Sequence, residues 1–415
     1  MRVMLPASGK WPRFILLRAA SYYNWTSRLF STGMLLIENQ ATCVSTMPVV
    51  HPSPASAPLN GSVLVLIQFD VCEELRLDLL QQTVSARTVQ LPSMKHSVPA
   101  YVRYQRPPIV EPLQALTLAS SERLEGEIKY YDYGVVSVVY QLPFSGDWES
   151  LVQLASRWVW DVDFASQVEP IVRQKLQRAA KCMVKPYARW LSEDYFIFHV
   201  RELEGSPAAE DLMRDNVLQI AQIVRGDRLD LSTGERNEVR NSQISYSTTD
   251  VAVIGWNAAF LYDSAAGAET AIQLLEYANS QLLEFRHYDE LLSEILDGVY
   301  ASLEQKKGTF ARWRLAHSAT SLHTVLLDVE ELTERADNAI KFLSDMFAAR
   351  LYKLAAGKVG VPDYRNLVER KLKTAEDLYN YMVEQFNQSR AFFLEVTVVL
   401  ILLIELFYFF RGKPI

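Results

Sequence analysis

Glu127-Ile-Lys-Tyr-Tyr-Asp-Tyr-Gly-Val-Val-Ser-Val-Val-Tyr140 has two strand-like arms, rich in aromatic and β-branched residues, around Asp132-Tyr-Gly134. Glycine there suits a turn or bulge of positive φ, so the stretch predicts a β-hairpin. Pro143 to Asp147 closes the unit, and Asp147 is placed to cap a helix running to about Trp160. Upstream, Val63-Leu-Val-Leu-Ile-Gln-Phe69 is bounded by Gly61 and Asp70 and is too short to span a bilayer, which predicts a buried strand. Helical spacing follows from Glu73 to Leu80, and Ser93 to Pro108 reads as an irregular, proline-punctuated crossing. Downstream the pattern predicts a helix over Val168–Met183 and a strand over Tyr195–Val200. A charged, turn-rich stretch then precedes strand-like sequence from Ile244 to Tyr262. Strands and helices mixed in this way predict an α+β body over residues 61–265.

Beyond Ala268 the strand signals stop. Leu274, Leu275, Ala278, Leu282, Phe285, Leu292, Ile295 and Val299 share one helical stripe, and Gly308 marks a break. Leu322, Val325, Val329, Leu332, Ala336, Ile340, Leu343 and Phe347 approximate heptad spacing. The pattern resumes after Gly357, Gly360 and Pro362 as Val368, Leu372, Ala375, Tyr379, Met382 and Phe386. Over 266–390 this predicts a helical coiled-coil hairpin of two antiparallel helices. Ordinary core-facing amphipathic helices give the same secondary structure with a different partner.

Residues 391–410, Ala391-Phe-Phe-Leu-Glu-Val-Thr-Val-Val-Leu-Ile-Leu-Leu-Ile-Glu-Leu-Phe-Tyr-Phe-Phe410, measure roughly 30 Å as a helix, the thickness of a hydrocarbon core. Arg390 precedes the run, Arg411 and Lys413 follow it, and Tyr408 sits at aromatic-belt depth, so it predicts one C-terminal transmembrane helix with a short basic tail, 411–415. Glu395 and Glu405 interrupt it. An acidic residue costs on the order of 2.5–3.5 kcal/mol at the bilayer centre and less toward the ends. Two explanations stand: snorkelling beside Arg390 and Arg411, or contact with neighbouring copies in an oligomer. Arg370, Lys371, Lys373 and Arg390 before the span mildly favour a body on the cytoplasmic or matrix side of a bacterial or mitochondrial inner membrane.

Residues 1–60 stay outside the fold argument. Arg2, Lys10, Arg13, Arg18 and Arg28 with no acid before Glu38 fit an organelle transit peptide. A start codon called too early, with translation from Met47, fits equally, and Pro48 to Pro58 reads as a linker.

A net charge of −7 argues against a dedicated nucleic-acid surface, and 49% hydrophobic with 22% charged residues fits a globular body. Cys43, Cys72 and Cys182 lack the spacing of a disulfide framework or thiolate metal site. The six histidines are scattered, and no phosphate loop, HExxH or GxSxG is present. No catalytic residue, cofactor or metal ligand is singled out. Asp227–Asp230 and Glu235–Arg240 mix both signs and read as a solvated face.

Tyr133-Gly134-Val135-Val136, Gln281-Leu-Leu-Glu-Phe-Arg-His-Tyr-Asp289 and Phe393-Leu-Glu-Val-Thr-Val-Val-Leu-Ile-Leu-Leu-Ile-Glu405 together resemble the required-for-meiotic-nuclear-division family, a domain-of-unknown-function group with bacterial and mitochondrial members. The resemblance covers roughly Val63 to Phe410. Ser137-Val-Val-Tyr140 departs from the family's more aromatic second hairpin arm. The resemblance implies a membrane-bound homo-oligomer facing the compartment of translation; mitochondrial relatives are associated with supporting organellar protein synthesis. The leading expectation is a non-enzymatic scaffold on the lipid bilayer, with the ribosome or translation machinery as a partner and Glu395, Glu405, Arg390 and Arg411 at the oligomer or membrane interface. The rival is a membrane-surface enzyme using a carboxylate site that sequence does not pair.

Overall fold

The valine-rich runs that predict strands do form them, and in a computed structural model of the chain they build one mixed sheet. The structure describes residues 58–83, 87–88, 107–304, 324, 325, 327, 329 and 346–412, with side chains for all of these except 83, 87–88, 302–304 and 385–393. The targeting and linker expectations up to residue 57, the part of the Ser93–Pro108 crossing up to 106, the break at Gly308 and residues 413–415 of the tail 411–415 lie outside the described residues.

In chain order the elements are β1 (Leu59–Leu75), α1 (Leu77–Thr83), β2 (Arg87–Thr88), β3 (Ile109–Thr117), β4 (Arg123–Tyr130), β5 (Val135–Gly146), α2 (Trp148–Trp160), α3 (Phe164–Arg178), β6 (Met183–Leu203), α4 (Ala209–Asp215), α5 (Val217–Arg225), α6 (Thr233–Asn241), β7 (Gln243–Ile244), β8 (Val251–Ile254), β9 (Ala258–Tyr262), α7 (Ala265–Glu304), α8 (Met346–Val359) and α9 (Val361–Phe410). The sheet order is β2-β3-β4-β5-β1-β6-β9-β8-β7. Among the described residues its one parallel pair is β6 with β9.

β1 lies between β5 and β6 and is buried on both faces, so its sequence reads as a continuous apolar run rather than a clean alternation. Successive side chains still point to opposite faces. Val63, Val65, Ile67, Phe69 and Val71 enter one core with Trp148 and Trp158 of α2, Phe164 of α3 and Ile220 and Ile223 of α5. Leu64 and Leu66 enter a second core with Leu274, Leu275, Ala278 and Leu282 of α7 and Leu351, Tyr352 and Ala355 of α8. The sheet is thus the middle of three layers. Helix starts follow the expected chemistry: Asp147 accepts from the Ser150 backbone N–H at 2.9 Å, and Asp163 does the same for Ser166 at 3.0 Å.

The hairpin turn is held by a close approach. The Val71 N–H donates to Gly134 O at 3.1 Å and the Leu75 N–H to Asp132 O at 2.9 Å. Gly134 has φ +87, and a Cβ there would fall 1.7 Å from Cys72 O.

The C-terminal helices pack on α7. Gly357 lies inside α8, and Gly360, at φ +96, joins α8 to α9. Tyr352 of α8 packs on Tyr277 of α7, Lys371 of α9 donates to Asp289 O and Ser293 Oγ, and Ala375 and Met382 meet Leu296 and Val299. The contacts of α9 advance along α7 in order, so α9 runs parallel to it. The stripe from Val368 to Met382 therefore packs on α7. Most of the stripe from Leu322 to Phe347 lies outside the described residues, although Val325 and Val329 join the second core.

Among the described residues no helix is long and apolar enough to cross a membrane. The described side chains of the apolar run begin at Leu394, and the exposed stretch 394–410 ends at Arg411.

Gly134→Ala is expected to destabilise the fold by at least the 1–2 kcal/mol that a left-handed residue costs, roughly, before the backbone has moved to relieve the clash. A urea unfolding midpoint equal to that of the wild type contradicts this account.

Candidate functional site

The second face of the sheet turns polar toward the hairpin end. Pairing sets Lys129 of β4 opposite Ser137 of β5, Ser137 opposite Gln68 of β1, and Gln68 opposite Glu193 of β6. One polar row therefore crosses four strands, and α7 answers it. Lys129 Nζ reaches Glu276 Oε2 at 2.8 Å, Gln68 Nε2 donates to Glu276 O at 2.9 Å, and Arg286 pairs with Glu193. Gln68 Nε2 also lies 3.4 Å from Ser137 Oγ. The next row holds Val135, Asp70 and Leu191. Leu283 of α7 packs there with Tyr131 and Val135, and His287 Nδ1 lies 3.1 Å from Asp70 Oδ2. Tyr133, at the hairpin turn, hydrogen-bonds Ser280 Oγ at 3.0 Å.

α7 supplies these partners because its buried side is mixed. Its apolar stripe covers Leu64, Leu66 and Ile197, whereas Glu276, Asn279, Ser280, Gln281 and Glu284 are buried beside that stripe. Local bonds satisfy part of this polarity: Asn279 Nδ2 donates to Leu275 O at 2.8 Å and Ser280 Oγ to Tyr277 O at 2.8 Å. Tyr352 of α8 donates to Gln281 Oε1, carrying the network into the next helix.

The electrostatics follow burial. Burial alone would push the Lys129 ammonium down, but the Glu276 carboxylate beside it raises its pKa above the ordinary value. Asp70, 3% exposed, is pushed well above the usual carboxylate range by burial. His287 is pushed below its ordinary value by burial, against a smaller opposing effect of Glu290. Gln68 Oε1 and Glu276 Oε1 are buried with no hydrogen-bond partner among the described residues. Among the described residues no group of three His, Cys, Asp or Glu side chains is placed to hold a metal ion.

Chemically the seam can orient two layers and hold or pass a proton. A described groove of about 700 Å³ lies elsewhere, along α9, where Asp363 and Glu369 share it with Arg370 and Lys373. Of the residues expected from sequence to matter, Glu395, Glu405 and Arg411 lie on or just after α9, exposed and away from the seam. Arg411 rests over the Phe407 ring at 5.4 Å. The side chain of Arg390 lies outside the described ones. Sequence reading missed the seam, although two of its stretches, Tyr133–Val136 and Gln281–Asp289, are those that carry the family resemblance; the fold packs one on the other. The signal was polar residues at positions where a doubly buried strand should be apolar: Gln68, Asp70 and Ser137.

Lys129→Met is expected to destabilise by about 3–5 kcal/mol, because it leaves the Glu276 carboxylate buried and unpaired. Lys129→Met with Glu276→Met should recover most of that loss. A double-mutant cycle measures the coupling, and additive single losses contradict the pairing.

A family model described as the N-terminal domain of uncharacterized protein MJ0711 matches residues 60–269. Uncharacterized protein MJ0711 of Methanocaldococcus jannaschii is 21% identical over 197 residues, covering 48% of this chain and 60% of the archaeal protein. The chain thus spans less than two thirds of that relative's length. No solved structure matches. The matched segment takes in the whole β1–β9 sheet and half of the chain, and on that ground the chain belongs to the family defined by the MJ0711 N-terminal domain.

Proposed function

We propose that the chain is a membrane-tethered, homo-oligomeric scaffold whose α+β body is the binding module and whose C-terminal helix enters the bilayer. The observation that carries this reading is the end of α9. Every residue from Leu394 to Phe410 is exposed, including Leu400, Ile401, Leu402, Leu403 and Ile404, each about half accessible or more. Monomeric soluble proteins rarely leave so large a contiguous apolar surface open. In sequence the run starts at Ala391, which brings it to about 20 residues, the length of a span.

Glu395 and Glu405 lie roughly 15 Å apart along the helix and about 80° apart around it. In lipid each carboxyl needs a polar partner, and the matching glutamate helix of a second copy provides one. The body stays on the cytoplasmic or matrix side. Arg390 supports that orientation more strongly than Lys371, which is already engaged with Asp289 at 2.5 Å. The resemblance to the required-for-meiotic-nuclear-division family adds a client, translation or its products at the membrane. The enzyme alternative gains little, since the most perturbed acid, Asp70, is buried and the described groove lies along another helix.

The full chain is expected to float with liposomes and resist alkaline extraction, whereas a chain stopped after Arg390 stays in solution. Equal partition of both chains overturns the tether. Glu405→Leu should reduce the cross-linked oligomer in detergent, and an unchanged oligomer removes the role of that glutamate.

A further inference from the structure

Where β1 nears its end, its register with β6 slips. Asp70 faces Leu191, but Cys72 faces Pro186, so residues 187–190 of β6 bulge opposite Val71. Lys185, beside the bulge, takes φ +46, uncommon for a residue with a Cβ. Bulges re-aim side chains, and this one sends two aromatic rings apart. Trp190 lies under the Arg173 guanidinium at 3.9 Å, on α3. Tyr187 stacks on the His287 imidazole of α7, with centroids 4.3 Å apart and planes at 20°, and Tyr288 meets the same imidazole edge-on at 5.7 Å. Within this aromatic enclosure His287 Nδ1 is held 3.1 Å from Asp70 Oδ2.

We propose that Asp70 and His287 form a proton-binding latch between the sheet and α7, and that losing its proton loosens the C-terminal helices from the body. The latch goes beyond the tether reading and does not rest on it, because α7 carries α8 and α9 whatever they anchor to.

The surroundings favour an uncharged pair. Asp70, Tyr288, Glu73 and Cys72 are the groups that act electrostatically on the Tyr187 hydroxyl, and none is a cation. The nearby cations are already paired: Arg286 with Glu193, Arg189 with Glu290, and Lys185 with Glu73. Burial pushes the Cys72 thiol up to about 12, with the Asp70 charge adding to it, and burial likewise raises the Tyr187 hydroxyl. The carboxyl O–H of Asp70 donates to Nδ1 of a neutral His287, consistent with the upward direction at Asp70 and the downward one at His287.

The sign follows from the directions. A carboxyl raised in the folded state contributes stability that is full below its unfolded value and lost as pH rises through the folded one. A depressed imidazole contributes stability that is full above its unfolded value and lost as pH falls toward the folded one. The latch is closed between the folded-state value of His287 and that of Asp70, where both groups are neutral, and it opens on the alkaline side when Asp70 ionises.

The test uses the full chain in detergent. Infrared difference spectra should show the carbonyl stretch of a buried protonated carboxyl that persists above the ordinary carboxylate range and is absent in Asp70→Asn. Hydrogen exchange across residues 276–290, corrected for intrinsic pH dependence, should speed about tenfold per pH unit until that band is lost, and the dependence should vanish in Asp70→Asn. If Asp70→Asn fails to fold, His287→Gln replaces it and must shift the pH at which the band disappears. No buried carboxyl band in the wild type overturns the latch, as does an Asp70→Asn exchange profile, or a His287→Gln band titration, equal to the wild type's.

Discussion

Lys129 and Glu276 meet at 2.8 Å with side-chain exposures of 12% and 1%, and the rest of the architecture depends on that meeting. An apolar helix face slides on an apolar sheet at little cost. A buried ammonium and carboxylate do not: separated, each loses its partner in a medium that solvates it poorly. The pair, the Gln68 bond to Glu276 O and the Arg286–Glu193 pair pin α7 at three strands of the sheet at once. A helix of 40 residues held at one end of its contact projects its far end in a defined direction. α9 follows α7 in parallel, so the direction is inherited by the exposed apolar segment at residues 394–410. The polar seam thus acts on orientation more than on net stability, since buried ion pairs often do no better than hydrophobic replacements.

Much of the layer arrangement was legible in the sequence, and the reasons are local. The Asp132-Tyr-Gly134 turn, the Asp147 cap and the apolar stripe of α7 each depend on a few adjacent residues whose chemistry admits one conformation. Strand lengths were less legible. The predicted strand ending at Phe69 continues to Leu75, and the one over Tyr195–Val200 begins at Met183, because pairing with neighbours extends both past their apolar centres. α6 lay hidden in a charged stretch, since its support is a Ser232 cap and ion pairs such as Arg225 with Glu238 rather than an apolar face. The breaker residues at Gly360 and Pro362 were legible as a junction between helices. Glycine and proline there mark a left-handed junction and a helix start.

The seam was illegible for a different reason. Lys129, Ser137, Gln68 and Glu193 are far apart in sequence and belong to four strands, and only the register makes them a row. Each alone looks like an ordinary interruption of a strand pattern. Two interruptions in one short run, Gln68 and Asp70 on the same face of β1, were the usable hint. A strand covered on both sides tolerates two inward polar groups only when the covering element answers both.

The segment that defines the family ends at residue 269, just inside α7, yet that boundary is not where the fold of this chain can be cut. The polar row alone would tolerate the loss of α7, because Lys129 and Glu193 can be hydrated. The apolar part of the same face would not. Leu64, Leu66, Ile197 and Leu261 are covered by the second core, and burying each such side chain contributes about 1.5–3 kcal/mol. Four of them together rival the whole net stability of a domain, about 5–15 kcal/mol. The sheet of this chain therefore requires α7 beyond the matched segment, and the polar row decides where along the sheet that helix comes to rest.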